Sequence, residues 1–433
     1  MKNGKQKTNI SAHPWMVTDE HPHPDSMIEW WCAQALLNNP DFSEPLSFKA
    51  TLTQWNEPTG RGSIFHQTLH NQYSDFKSFY KRDNSNQLIM KKKPIHISYN
   101  QNSIAGRYPD YTMSFHDMKH NLHLDLKYHA EVSPHWVAQE STNGWLPMGF
   151  GRYRYGFIPR LTVTGKLTKN KKTYQLNGTG YYEHVWGDFS YDKPIASIQD
   201  FTKTAGTYAQ LFYWWMKQYH PKIPKKITMC TENNPFGYDW VWAKLDNDWT
   251  LFFGNILFWL MNGPVAGILI INKENGEYEE WGNISFQYHC TRKSNHFDFE
   301  YPSDFEISAH RDDTLIHFRF QMTGNTHEYI ARFPHKGFYI GFVICEAPGT
   351  VTGYVEKNGK KKKISGVCKI EPQRQISRLG HNKLIVQAKS VGIKTTLTSH
   401  FLNKEIKCSC DLLPRPRFTF HHKRIQKQCQ NCK

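Results

Sequence analysis

One short segment of the chain concentrates side chains that could act on an apolar substrate. Glu183, His184, Trp186 and Asp188 lie within six residues of one another. On a β-strand, alternate residues point to opposite faces, so His184, Trp186 and Asp188 share one face and Glu183 lies on the other. A protonated carboxylic acid can protonate an alkene, aromatic faces stabilise the cation, and a base helps water to add. We therefore expect His184, Trp186 and Asp188 to point together into a cavity.

The elements that position this segment are strands. In residues 121–129 and 314–322 every second residue is apolar, which is typical of strands with one dry and one wet face. Turn pairs such as Asn275–Gly276 and Asn358–Gly359 separate such runs. Since no long 3.6-residue periodicity competes, the sequence predicts an all-β fold.

An internal repeat divides the chain. Residues 162–183 and 350–371 align without a gap at an offset of 188, and nine of the 22 positions are identical. Each copy indicates a strand, a lysine-rich hairpin loop and a second strand. The period is far too long for a solenoid or a propeller blade. The repeat predicts two similar antiparallel β-barrels in tandem, each able to hold a small ligand; a filled sandwich is the alternative.

A weaker echo lies at the start of each half, where residues 29–33 (EWWCA) resemble residues 239–243 (DWVWA). An acid and a tryptophan in both halves favour closure of each barrel end over chemistry. The predicted division of the chain is a flexible N-terminus over 1–12, a first barrel over 13–205, a linker over 206–235, a second barrel over 236–407 and a basic Cys/His tail over 408–433.

Three separated motifs resemble one protein family. They are residues 21–37 (HPHPDSMIEWWCAQALL), 178–189 (GTGYYEHVWGDF) and 239–248 (DWVWAKLDND). Together they resemble the lipocalin-like family that includes the AttH proteins and the carotenoid 1,2-hydratases, also named hydroxyneurosporene synthases. The matching positions are His23, Pro24, Asp25, Glu29, Trp30, Trp31, Gly180, Glu183, His184, Trp186, Gly187, Trp240, Trp242, Leu245 and Asp246.

The resemblance implies tandem calycin-like barrels with an apolar cavity, in agreement with the repeat. It implies action on an apolar isoprenoid or lipid, with acid-catalysed addition of water across a terminal double bond. An enzyme of this kind would be a hydro-lyase, or an isomerase or cyclase. A non-catalytic carrier of a hydrophobic small molecule is the alternative.

The chain departs from the family pattern at two places that bear on this chemistry. Cys32 stands where the family usually has tyrosine or threonine after the paired tryptophans. The aromatic segment 209–215 lacks an acid, whereas hydratase members carry a Tyr-x-Asp-like pair near there.

These arguments name a set of candidate site residues. The catalytic candidates are His184, Asp188 and Tyr213, and the ligand-binding candidates are Glu29, Trp30, Trp31, Glu183, Trp186, Trp240 and Trp242. A buried, hydrogen-bonded histidine explains His184 as well as a catalytic role does. Glu183 recurs in the second copy as Glu371, which favours a structural role. The residues on the opposite face of this strand, His184, Trp186 and Asp188, are not repeated. The second copy has Pro372, Arg374 and Ile376 at those positions.

The nine cysteines point to a reducing compartment. Five lie in apolar or strand-like sequence and are predicted to be buried thiols: Cys32, Cys230, Cys290, Cys345 and Cys368. The remaining four are weak candidates for a metal site, since zinc favours two closely spaced pairs; a disordered tail is the alternative. They are Cys408, Cys410, Cys429 and Cys432. No cofactor is expected.

The net charge of +16 comes from lysines and arginines scattered along the chain, which favours solvated loops over a polyanion site. We therefore expect an apolar small-molecule partner, no nucleic acid, and peripheral membrane contact through the basic surface. The polar N-terminus has no signal-peptide core, which predicts a cytoplasmic protein. The apolar run 251–271 contains the turn sequence Asn262–Gly263–Pro264, so it predicts a buried hairpin rather than a membrane helix.

Overall fold

Alternating apolar and polar residues form strands over most of the chain, as predicted. The computed structural model describes residues 17–57, 60–70, 79–83, 87–148, 150–189, 201–218, 226–230, 237–254, 267–282, 284–297, 300–324, 326–335, 338–379, 385–391, 394–401, 404–411 and 417–424.

A curled antiparallel sheet of thirteen strands forms the first half, after a 3-10 turn over Val17–Glu20. Its elements are β1 (Ile28–Asn38), β2 (Leu46–Glu57), β3 (Gly60–His70), β4 (Phe79–Asp83), β5 (Leu88–Lys92), β6 (Ile95–Tyr99), β7 (Asn102–Arg107), β8 (Asp110–Asp117), β9 (Leu122–Ala130), β10 (His135–Trp136), α1 (Gln139–Thr142), β11 (Trp145–Met148), β12 (Gly151–Lys169) and β13 (Lys172–Asp188). The strand order is β4-β3-β2-β1-β13-β12-β9-β8-β7-β6-β5, with β10 and β11 beside β12.

The second half repeats this plan with a sheet of ten strands. The chain first forms α2 (Phe201–Gln218) and β14 (Lys226–Cys230), which lie outside this sheet. The sheet contains β15 (Tyr238–Leu245), β16 (Thr250–Gly254), β17 (Ile268–Asn272), β18 (Tyr278–Trp281), β19 (Ile284–Lys293), β20 (Glu300–Arg311), β21 (Thr314–Met322), β22 (His327–His335), β23 (Phe338–Lys357) and β24 (Lys360–Leu379). The order is β18-β17-β16-β15-β24-β23-β21-β20-β19, with β22 beside β23. The fold class, two tandem lipocalin-like barrels, is confirmed.

The two copies of the sequence repeat form equivalent hairpins, β12–β13 and β23–β24. Asn170 and Lys171 have φ values of 51° and 70°, and Asn358 and Gly359 have 51° and 73°. Two consecutive residues at positive φ are typical of the type I′ turn that suits the twist of a two-residue hairpin. The predicted strand, hairpin and strand are therefore confirmed in both copies.

The register of the first strands corrects the predicted echo. Trp30 on β1 lies opposite Val185, and Tyr238 on β15 lies opposite Gln373. Positions 185 and 373 differ by the repeat offset of 188, so Trp30 corresponds to Tyr238 rather than to Trp240. The alignment of residues 29–33 with 239–243 was therefore two residues out of register.

The described residues form three hydrophobic cores, two of which lie inside the barrels. Trp31 and Tyr182 belong to the packed interior of the first barrel, and Phe305 and Phe318 belong to that of the second. The third core is a seam between the barrels. It contains Tyr155, Phe157, Tyr181, Trp240, Trp242 and Phe252.

Elements lie where the sequence predicted a linker and a tail. Helix α2 begins before the predicted linker 206–235 and extends into it, and β14 lies within it. Strand β14 joins a separate sheet in the order β14-β25-β26-β27-β28. Its other strands are β25 (Ile385–Val391), β26 (Lys394–Phe401), β27 (Lys404–Asp411) and β28 (Arg417–Arg424). Part of the predicted tail 408–433 is therefore paired strand, while the predicted N-terminal stretch 1–12 lies outside the described residues.

The apolar run 251–271 contributes β16 and β17, which pair antiparallel as predicted; its turn residues 262–264 lie outside the described residues. No described helix is both long and apolar enough to cross a membrane. Cys32, Cys345 and Cys368 are buried, but Cys290 is exposed because it lies at an irregularity in the pairing of β19 with β20. The side chain of Cys230 lies outside the described residues.

The hairpin turn offers a first test. Gly359 has φ 73° and open space where a Cβ would stand, so only backbone strain opposes a side chain there. We expect Gly359→Ala to lower the free energy of unfolding by about 1 kcal/mol. Urea denaturation measures the change. Lys171→Gly, at the equivalent position of the first hairpin, should act in the opposite direction, and an unchanged Gly359→Ala would contradict the turn assignment.

Candidate active site between the two barrels

A cavity lies in the seam between the barrels. Its aromatic walls are Trp30, Tyr153, Tyr155, Tyr238, Trp240 and Phe252, and its acids are Glu183, Asp239 and Glu371. The cavity has a volume of about 60 Å³. It is therefore narrow and largely aromatic, and its carboxyl groups lie beside tyrosine hydroxyls and the Gln34 amide.

Glu183 lies on β13 and points out of the first barrel into this seam. Its Oε1 accepts a hydrogen bond from Trp30 Nε1 at 2.9 Å. Its Oε2 accepts from the phenols of Tyr181, at 2.9 Å, and Tyr155. Burial raises the pKa of Glu183, and the hydrogen bonds from Tyr155 and Trp30 only partly oppose that rise. Glu183 is thus a buried carboxyl group whose protonated form is favoured beside an aromatic wall.

The Tyr-x-acid pair that the segment 209–215 lacks is present at Tyr181 and Glu183. Both residues face the seam, and the Tyr181 hydroxyl lies 2.9 Å from that of Tyr155. The predicted catalytic residue Tyr213 instead lies on α2 with 62% of its surface exposed and does not line the cavity. The placement of Tyr213 in the site was wrong because residues 201–218 form a helix that exposes it.

A second carboxyl group, Glu371 on β24, faces the cavity from the other barrel. The Tyr238 hydroxyl donates to its Oε1 at 2.7 Å, and Lys49 Nζ forms an ion pair with its Oε2. Lys49 belongs to the first barrel, so this ion pair crosses the seam. Burial would lower the pKa of Lys49, but the charges of Glu371 and Glu346 outweigh it and raise that pKa.

The ion pair belongs to a buried cluster of two lysines and two glutamates. Lys369 Nζ lies 2.6 Å from Glu346 Oε1, and Lys49 Nζ lies 3.8 Å from Glu346 Oε2. Lys369 also donates to the Phe48 carbonyl of the first barrel at 3.1 Å. The cluster sets two amines against two carboxyl groups, and burial lowers the pKa of Lys369 in spite of the charge of Glu346.

His184 faces the interior of the first barrel and is completely buried. Its Nδ1 donates to the Asp19 carbonyl at 2.9 Å, and its Nε2 lies 2.8 Å from Glu29 Oε1. The His23 backbone N–H donates to both Glu29 oxygens, and His23 Nδ1 lies 3.0 Å from Oε1. Burial would raise the pKa of Glu29, but the hydrogen bonds from His184 and His23 outweigh it and lower that pKa.

These three side chains could hold a metal ion, since their ligand atoms lie within 4.8 Å of one another. Around a tetrahedral zinc, neighbouring ligand atoms stand about 3.3 Å apart. The distances of 2.8 and 3.0 Å from Glu29 to the two imidazoles are shorter and fit hydrogen bonds. Because His184 Nδ1 donates to a carbonyl, a single proton between Nε2 and Glu29 completes the second hydrogen bond, and burial lowers the pKa of His184. These hydrogen bonds attach residues 19–23 to the first barrel.

The other predicted residues divide between the cavity and the packed cores. Trp30, Glu183 and Trp240 line the cavity. Three tryptophans are buried in packing instead: Trp31 stacks on His184, Trp186 stacks on His23, and Trp242 donates to the Pro159 carbonyl at 2.9 Å. Asp188 accepts from the Met27 backbone N–H at 3.3 Å. The expectation that His184, Trp186 and Asp188 line one cavity therefore differs from the structure, in which the opposite face of β13 does so.

Two of the four candidate metal-binding cysteines fall on a described strand. Cys408 and Cys410 lie on β27, opposite Phe420 and Phe418 of β28. Cys429 and Cys432 lie outside the described residues.

Sequence reasoning missed Tyr155, Lys49 and Glu371 as members of the site. Tyr155 lies in an aromatic run whose alternation gives no sign of a ligand, and Lys49 is an isolated cation within a strand. Glu371 was noticed only as the repeat partner of Glu183. A signal was nevertheless present, because a strand position that keeps glutamate in both copies is unusual for a buried sheet.

The fold and the cavity define the class of protein: a tandem lipocalin-like protein with an acidic, aromatic site between its barrels. A protein of Nitrosomonas europaea described as AttH has a similar structure, with a TM-score of 0.56 and 15% identity over 81% of this chain and 94% of that one. Kievitone hydratase from Nectria haematococca is also similar, with a TM-score of 0.53 and 12% identity over 82% and 92% of the two chains. The predicted AttH resemblance is thereby confirmed for the fold. No family model and no curated protein sequence matches the chain.

The buried histidine network makes a second prediction. Because the pKa of Glu29 is lowered in the folded state, its contribution to stability is present above the ordinary glutamate pKa of 4.5 and is lost as the pH falls through the folded value. We expect Glu29→Gln to lower the free energy of unfolding at neutral pH by about 3 kcal/mol, since it breaks the buried hydrogen-bonded pair of Glu29 with His184. The free energy of unfolding of this variant should then fall less steeply than that of the wild type as the pH is lowered.

Urea denaturation at a series of pH values checks both effects. The exposed Glu277→Gln removes one carboxyl group from the surface and serves as the control, with an expected change within about 0.5 kcal/mol. If the free energy of unfolding falls equally steeply with decreasing pH in Glu29→Gln and in the wild type, the stabilising role of the Glu29 carboxylate is contradicted.

Proposed function

We propose that this protein adds water to a carbon–carbon double bond of an apolar substrate held between the two barrels. The observation that carries the proposal is Glu183: a buried carboxyl group with a raised pKa, set in a cavity walled by aromatic rings. Addition of water to an alkene needs a strong proton donor in a dry site, and this group supplies one.

The neighbouring groups suit the steps of such a reaction. Trp30 and the two phenols fix the Glu183 carboxyl through three hydrogen bonds, so the proton is delivered from one position. The faces of Trp240 and Phe252 can stabilise the positive charge that develops on the substrate. The narrow cavity limits access of bulk water, which strengthens these electrostatic effects.

Two observations from the comparisons support this proposal: the shared fold, and the hydratase activity by which one of the similar proteins, kievitone hydratase, is named. The substrate class, an apolar isoprenoid or lipid, follows the family resemblance and the aromatic walls. A carrier of a hydrophobic molecule needs the same walls but no acid. The buried Glu183 carboxyl group, whose pKa is raised among these walls, therefore favours catalysis over transport.

Two unsaturated probes test the reaction: kievitone and an acyclic carotenoid, each incubated with the protein in isotopically labelled water. We expect at least one product that is heavier by one labelled water, detected by mass spectrometry. Glu183→Gln should lower its rate of formation by at least about a hundredfold, because the proton donor is lost. Glu277→Gln should leave the rate unchanged. A probe that binds in native mass spectrometry but is never hydrated would support the carrier instead.

The pH dependence identifies the acid. Since the protonated form of Glu183 is the active one, kcat/KM should fall as the pH rises through its raised pKa. Tyr155→Phe removes a hydrogen bond that lowers this pKa, so the fall should move to higher pH. Steady-state rates across a pH series measure both, and a profile that Tyr155→Phe does not shift would argue against Glu183.

A further inference from the structure

We propose that Glu371 is the general base that activates the attacking water, so that the two repeat-related glutamates, Glu183 and Glu371, form the acid and the base of one site. This inference rests on the proposed function and extends it to the second barrel.

The two glutamates occupy equivalent positions and both reach the cavity. Residue 371 is residue 183 plus the repeat offset of 188, and each lies on the second strand of its hairpin. Each also receives the same kind of hydrogen bond from its neighbouring first strand: Trp30 Nε1 donates to Glu183 Oε1, and Tyr238 donates to Glu371 Oε1. The register makes Trp30 and Tyr238 equivalent. Two copies of one carboxyl group therefore face a single cavity from opposite barrels.

Their remaining partners differ in charge. The second oxygen of Glu183 meets two neutral phenols, those of Tyr155 and Tyr181. The second oxygen of Glu371 forms an ion pair with the ammonium group of Lys49. Burial raises the pKa of Glu183, against the hydrogen bonds from Tyr155 and Trp30 and the charge of Lys49. Paired carboxyl groups whose surroundings separate their protonation states are the usual arrangement of an acid and a base.

The atoms balance over one turnover. The Glu183 carboxyl gives its proton to one carbon of the double bond, whose electron pair forms the new C–H bond. The water oxygen then bonds to the cationic carbon, and Glu371 takes the proton that the water loses. Transfer of this proton through solvent from Glu371 to Glu183 restores both groups. The net reaction is alkene plus water to alcohol, with no oxidant or reductant.

Variants of the two glutamates separate the two steps. The probe is whichever of kievitone and the acyclic carotenoid the wild type hydrates, supplied in deuterated water. Glu371→Gln should lower water addition by at least about a hundredfold, but should still incorporate deuterium into recovered substrate through reversible protonation by Glu183. Glu183→Gln should lose both. Hydration by Glu371→Gln at the wild-type rate would overturn the assignment of the base and leave the proposed function intact.

Infrared spectroscopy tests the assignment without a substrate. In a pH titration the wild type should keep the carbonyl stretch of the buried Glu183 carboxyl group to higher pH than the stretches of its surface carboxyl groups. That band should vanish in Glu183→Gln and persist in Glu371→Gln and in the surface control Glu277→Gln. Loss of the band in Glu371→Gln instead would overturn the proposal, whether or not a probe is hydrated. Failure of the wild type to hydrate either probe is a separate result, which would contradict the proposed function.

Glu371→Gln alone leaves the buried Lys49 with one fewer partner and could unfold the protein. Combining it with Lys49→Met removes both charges of the pair and should restore the fold, as judged by circular dichroism. The double variant should still lack water addition and still exchange deuterium. A folded double variant with wild-type hydration would contradict the role of Glu371.

Discussion

The burial of one carboxyl group between two barrels is the constraint on which the rest of the site depends. Glu183 lies where the outer faces of the barrels meet, and only 8% of its surface is exposed. A carboxylate is costly to bury without a cation, yet its nearest partners are an indole and two phenols, all neutral donors. Its raised pKa is the physical result.

Duplication explains how the site acquired two different carboxyl groups. Each barrel presents a glutamate from the last strand of the same hairpin, so an ancestor with two equivalent barrels would place two equivalent acids in the seam. The asymmetry comes from Lys49, which reaches from the first barrel to Glu371 and is part of the buried cluster with Glu346 and Lys369. One cation across the interface therefore distinguishes the two copies.

Each barrel interior contains a buried pair of an acidic and a basic side chain. In the first barrel Glu29 binds His184, and in the second Asp239 binds Arg374 at 2.9 Å. Both pairs join the first strand of a barrel to the second strand of its hairpin. The two pairs lie at different positions of the repeat, because the register makes Asp239 equivalent to Trp31 and Arg374 equivalent to Trp186. The family motif residues His23, Glu29 and His184 thus contribute to the scaffold that holds β13, whereas Glu183 contributes to the cavity.

The sequence by itself determined the strands, the two tandem barrels and the hairpin turns, because alternation and turn chemistry are local. It also established that Glu183 and His184 point to opposite faces of one strand. Only the tertiary structure decided which face meets a cavity. Both faces of β13 are buried around these residues, so hydropathy cannot distinguish the interior of a barrel from a seam between barrels. That distinction depends on where the second barrel packs, 188 residues further along the chain.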